Sequence, residues 1–153
     1  MDLARQLIAS FGQSIGIDDL APDDTGGCTL AFDDMSVRLV HLEEAEQLLI
    51  FSPVGYVGPA GREATLTALL AANLFFRGTQ GATLGLDPDS GLVTLAYALN
   101  LAGYDDGRFS QLMENFLRIA EHWKQRLAGE LSGSVPEPAG ESAWAAEGHA
   151  LRV

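Results

Sequence analysis

Apolar side chains in residues 1–15 fall at Leu3, Leu7, Ile8, Phe11 and Ile15, spaced by threes and fours, which predicts an amphipathic first helix. Asp2 stands where a helix N-terminus favours negative charge. The pattern lapses over residues 16–27, where Asp18, Asp19, Pro22, Asp23 and Asp24 lie among glycines, a composition that predicts an exposed acidic loop. Three strands are predicted next, over 28–32, 35–42 and 46–53, separated by Asp33-Asp34 and by Glu43-Glu44-Ala45. Alternation in the second strand puts Met35, Val37 and Leu39 on one face and Ser36, Arg38, Val40 and Leu42 on the other. The third carries Leu48, Leu49, Ile50 and Phe51 in succession, so large apolar groups occupy both of its faces. A sheet with one solvated side needs fewer; either helices cover both faces or a ligand covers one.

After a glycine-containing loop at 54–61, a second helix is predicted from near Arg62, carrying Leu66, Leu69, Leu70, Asn73, Leu74, Phe75 and Phe76. Apolar groups occupy nearly its whole circumference, and a helix of that kind must be covered on all sides. One face can pack on the protein's own sheet, and the opposite face requires a second molecule. A homodimer is therefore expected, with Leu66, Leu69, Leu70, Asn73 and Leu74 at its interface, helped by Val93, Leu95 and Tyr97 of a later strand. Gly78 is expected to end the helix in the left-handed conformation, and Gly81 continues the break. Strands over 83–86 and 92–99 flank Asp87-Pro88-Asp89-Ser90-Gly91, in which every residue has turn chemistry. Asp105 or Asp106 can cap a last helix over 107–127, striped by Phe109, Leu112, Met113, Phe116, Ile119, Trp123 and Leu127 and closed by Gly129. Residues 130–153, with Pro136, Pro138 and repeated Gly, Ser, Ala and Glu, have the composition of a linker-like tail. The order α-β-β-β-α-β-β-α describes one α+β domain at 1–129 with a largely antiparallel, twisted sheet.

The leucines and asparagine of the second helix, the glycine break, Leu84-Gly85-Leu86-Asp87, the turn and the alternating apolar strand resemble the hallmark of the CesT/SycE-type (Tir chaperone) family. These are the class I chaperones of bacterial type III secretion. The likeness in length, acidity and element order spans residues 1–129. It implies a homodimer that catalyses nothing, uses no cofactor, and keeps an extended segment of a secreted effector soluble until release at a secretion ATPase. It also implies that the effector wraps over the first helix and the outer face of the three-strand sheet. The matching apolar positions are Leu3, Leu7, Phe11, Leu30, Phe32, Val40, Leu42, Leu49 and Phe51. Alternation does not say which sheet face the helices cover, and a one-residue shift of register would exchange the set.

Charge and chemistry narrow the picture further. A formal net charge of -12 argues against nucleic acid and anionic membrane surfaces, both of which need a basic patch. The lone Cys28 forms no internal disulfide, and no apolar run approaches the roughly 18 residues of a membrane span, so a soluble cytoplasmic protein is expected. His41, His122 and His149 have no second histidine or cysteine at metal spacing. The Asp87 to Gly91 string has Leu92 and Ala98 where a calcium loop wants glycine and glutamate. Paired aspartates sit in loops, where solvated carboxylates are ordinary, and no phosphate loop or nucleophile elbow occurs. The alternative from another class is a small-molecule sensor with a pocket between the first helix and the sheet, for which Arg38, His41 and Tyr56 are the plausible polar set.

Overall fold

The computed structural model describes residues 2–129; the expected tail at 130–153 lies outside the described residues. Helix α1 (Leu3–Ser14) begins where the Asp2 carboxylate accepts from the Ala4 N–H at 3.2 Å. Strands β1 (Gly27–Phe32), β2 (Met35–Leu42) and β3 (Gln47–Tyr56) follow, then α2 (Arg62–Asn73), β4 (Thr83–Leu86), β5 (Leu92–Asn100) and α3 (Asp106–Leu127). The Asp105 carboxylate caps α3 by accepting from the Arg108 N–H at 2.8 Å. All strand neighbours run antiparallel in the order β1-β2-β3-β5-β4, so the two members of the 83–100 hairpin insert with β5 beside β3 and β4 at the edge.

Strand alternation sorts the sheet into two faces. Cys28 and Leu30, Val37 and Leu39, Leu48 and Ile50, and Val93, Leu95 and Leu99 point to the helix-covered side and are 8% exposed or less. Helix α3 lies across β3 there, and α1 lies beside α3, with the Phe11 and Phe109 rings meeting edge to face at 6.0 Å. The close crossing requires a glycine at 55: a Cβ there would stand 2.9 Å from that of Leu127, on a backbone with φ +149°. The Trp123 indole, 1% exposed, donates to the Gly78 carbonyl at 2.9 Å and ties the C-terminal half of α3 to the segment after α2.

That segment departs from the sequence expectation. Helix α2 stops at Asn73, and the chain turns through Phe75 (φ 52°) and Phe76 (φ 56°) rather than through Gly78. Gly78 is buried instead, its N–H donating to the Ala72 carbonyl at 2.9 Å. The tryptophan bond and this turn fix its place, and its backbone does not take the left-handed conformation expected of it. Strand β3 also runs on to Tyr56 through an irregularity between Pro53 and Gly55, because β5 continues to offer it a partner. Among the described residues, no helix is long and apolar enough to cross a membrane.

Candidate partner-binding surfaces

The uncovered side of the sheet is assembled by register. Val40 pairs with Leu49 and Leu49 with Ala98; in the next row Arg38 pairs with Phe51 and Phe51 with Ala96. Val40, Leu49 and Phe51 are partly exposed and stand apart from the hydrophobic core cluster, and Leu42 at the end of β2 is 40% exposed. Arg38 borders the patch and donates to the Thr29 hydroxyl at 3.4 Å. Three apolar side chains side by side on a sheet face are more than isolated surface hydrophobics.

Sequence reasoning assigned nine residues to a partner-binding surface made of the first helix and the outer sheet face, and the fold divides them. Val40, Leu42, Leu49 and Phe51 face outward. Leu7 and Phe11 of α1 and Leu30 of β1 are 2% exposed or less and belong to the core, which corrects their assignment to a partner-binding surface. Leu3 and Phe32 are partly buried and pack against that same core. The reason is parity: Leu30 pairs with Val37 and Phe32 with Met35, so both share the helix-facing side of β2.

A second apolar surface lies on α2 and the turn after it. Leu70 is 72% exposed, Leu74 55% and Phe76 47%, and Phe75 beside them is 45% exposed. Consecutive aromatics in the left-handed region are strained, at about 1–3 kcal/mol each. Of the expected interface residues, Leu70 and Leu74 lie on this surface, and Leu66 is partly buried against the core. Leu69, Val93 and Leu95 are 5% exposed or less and face inward, a second correction. Tyr97 also points to the helix side. Asn73 takes a role that sequence reasoning missed: its amide donates to the Leu84 carbonyl at 2.9 Å and accepts from the Leu84 N–H at 2.8 Å, along the outer edge of β4.

Groups with potential chemistry do not converge. Burial, and next the charge of Asp23, pushes the Cys28 thiol up, the opposite of what a nucleophile needs. Among the described residues, no group of histidine, cysteine or carboxylate side chains could hold a metal ion. Arg38, His41 and Tyr56 are dispersed: Arg38 points outward, His41 Nδ1 meets the Asp2 carboxylate at 3.0 Å, and Tyr56 is 65% exposed at the far end of β3. They make no common pocket.

The model of the Tir chaperone protein (CesT) family matches residues 6–124. A Chlamydia pneumoniae protein is 27% identical over 127 residues, which span 82% of this chain and 96% of the relative. Among solved structures, a chain of the ExsC–ExsE complex is 28% identical with a TM-score of 0.69, over 83% of this chain and 97% of that one. Two others share the fold: a chain of the HopA1–SchA chaperone–effector complex (22% identity, TM-score 0.65, 80% and 94% covered), and one from the complex of the Yersinia pestis type III secretion chaperone SycH with a fragment of YscM2 (20%, 0.62, 78% and 98%). With the family match running from α1 into the last turns of α3 and the element order intact, this chain belongs to the Tir chaperone (CesT) family.

Proposed function

We propose that this chain is a non-catalytic type III secretion chaperone, which holds an extended segment of an effector against the outer face of its sheet in the bacterial cytoplasm until secretion. The observation that carries this reading is the open apolar patch of Val40, Leu49 and Phe51, extended by Leu42, on a sheet whose other face is filled by the chain's own helices. An extended segment suits such a surface because alternate side chains reach one face while its backbone remains free to bond elsewhere. Each apolar residue covered contributes about 1–2 kcal/mol. The net charge of -12 keeps a protein with local apolar patches from associating indiscriminately. Family membership supports the role, as do the partner-bound states of its structural neighbours, a chaperone–effector complex among them. The same reading assigns a homodimer seam to Leu70 and Leu74 with Phe76, the exposed apolar surface of α2 and its turn.

The test is co-expression with the open reading frames beside its gene, followed by native mass spectrometry. An effector bound to a dimer is the expected result, and the effector's affinity is then measured for variants. Leu49→Asp combined with Phe51→Asp should keep a cooperative unfolding transition and lose the effector. Leu7→Ala should lose stability and keep effector affinity per folded molecule. An effector that binds the double variant as tightly as the natural chain rejects the sheet face as its site.

A further inference from the structure

Between the N-terminal half of α3 and the segment leading into β4 lies a cavity of about 330 Å³, within the range of small-ligand sites. Tyr97 of β5 lines its base, and Leu112 and Phe116 of α3 supply an apolar wall. Gly81 makes room for the tyrosine: a Cβ there would stand 2.9 Å from the Tyr97 ring, on a backbone with φ +94°. Two polar groups in the lining are unusual. Thr79 is 2% exposed and its hydroxyl has no hydrogen-bond partner, and the buried amide nitrogen of Gln80 beside it has none either. Buried polar atoms are ordinarily paired, and two orphans in one wall mark a place where a bonding partner fits.

The charge of the lining is equally informative. The chain carries 21 Asp and Glu against 9 Lys and Arg, yet among the described residues no carboxylate lines this cavity, and the charged group in its lining is Arg108. The Arg108 guanidinium is steadied by donating Nη1–H to the Gly103 carbonyl at 2.9 Å and by the Tyr104 ring, whose centroid is 5.9 Å away. A guanidinium has five N–H donors, so others are free for a ligand. Of the two acids just before it in sequence, Asp105 is occupied by the backbone N–H of Arg108 as the helix cap, and neither Asp105 nor Asp106 lines the cavity. One fixed cation among neutral donors suits a singly charged carboxylate better than a phosphate dianion.

We propose that this cavity binds a small carboxylate, its anionic end held by Arg108, the Gln80 amide and the Thr79 hydroxyl, and its short aliphatic part laid on Leu112 and Phe116. The carboxylate can come from a free organic acid or from a glutamate side chain of a bound protein segment, and the chemistry of the cavity is the same for both. The site is separate from the outer sheet face and stands whether or not that face holds an effector.

The experiment is a titration of the full chain, followed by ¹H–¹⁵N NMR, with butyrate as the free acid and with a blocked Ala-Glu-Ala tripeptide as the side-chain probe. Saturable shifts at the Thr79, Gln80 and Arg108 amides are expected, with a Kd of about 1 mM or tighter. Arg108 is exposed, so Arg108→Gln should fold normally and weaken binding about tenfold or more, since it removes a charge-assisted bond. Thr79→Val keeps the shape and deletes an unpaired hydroxyl; it should raise the Tm of the free chain by about 3 °C while weakening the ligand. Tighter binding of butyrate assigns the site to a free acid, and tighter binding of the tripeptide assigns it to a protein side chain. No saturable shift with either probe, or binding unchanged by Arg108→Gln, overturns the proposal.

Discussion

Trp123 concentrates several demands on one side chain. It is fully buried, its ring lies 4.9 Å below the Arg126 guanidinium, and its N–H satisfies a carbonyl of the turn that ends α2. Replacing it by Phe removes the donor and leaves the Gly78 carbonyl unpaired, at about 1–3 kcal/mol beyond the lost packing. Urea unfolding of Trp123→Phe should show a lower midpoint with an unchanged slope. Its neighbour His122, 8% exposed, answers to pH instead. Burial, and after it the charge of Arg126, holds the imidazole below its ordinary 6.5. The unfolded chain then takes up a proton near pH 6.5 while the folded chain resists it, so stability from this residue is present above that pH and is lost as pH falls. His122→Phe should lose less stability than the natural chain between pH 7.5 and 5.5. The His41–Asp2 pair is common to both proteins and cancels in the comparison. An equal loss in the two proteins would show that His122 protonates freely in the folded state.

At the scale of elements, the free edge of the sheet is the feature to explain. An unpaired strand edge invites the addition of another chain, and β4 lies at one edge of this sheet. The Asn73 amide both donates to and accepts from Leu84, as the backbone of a sixth strand would. Asn73→Ala should cost about 1–3 kcal/mol and expose that edge. Size-exclusion chromatography with light scattering should then show species larger than those of the natural chain; a variant that loses stability without new association would confine Asn73 to a structural bond. This role was not legible in the sequence, where an asparagine among leucines reads as an interface residue. The alternation of β2 was legible, with charged Arg38 between Val37 and Leu39 separating two faces, but which face the helices cover was not, because Val40 and Leu42 make the Arg38 face apolar as well. Leu7, Phe11 and Leu30 were misplaced because apolarity says only that a side chain avoids water, and the domain's own core meets that need as well as a partner does. The cavity beside α3 was missed for a different reason: Thr79 and Gln80 come from the segment before β4 and Arg108 from α3, and their meeting is a property of the packed chain.

For the whole molecule, the question is what covers α2. In the protomer Leu70 and Leu74 are one helical turn apart, 72% and 55% exposed, with Phe76 next to them on a strained backbone. Such strain persists where surrounding structure holds it in place, and the protomer leaves Phe76 47% exposed. A second copy contributing the same surface across a two-fold axis would bury these side chains symmetrically. Changing Leu70 and Leu74 to Asp distinguishes the cases because the two positions behave differently in each. In an isolated protomer both are surface sites, where substitutions alter stability by about 0.5 kcal/mol or less. In a dimer they would place four carboxylates in one seam, a cost of several kcal/mol that opens the contact. The double variant should therefore be a folded monomer by light scattering, with an unchanged circular dichroism spectrum and a Tm that no longer depends on protein concentration. If it remains a folded dimer, the seam does not run through Leu70 and Leu74 and lies elsewhere on the protomer.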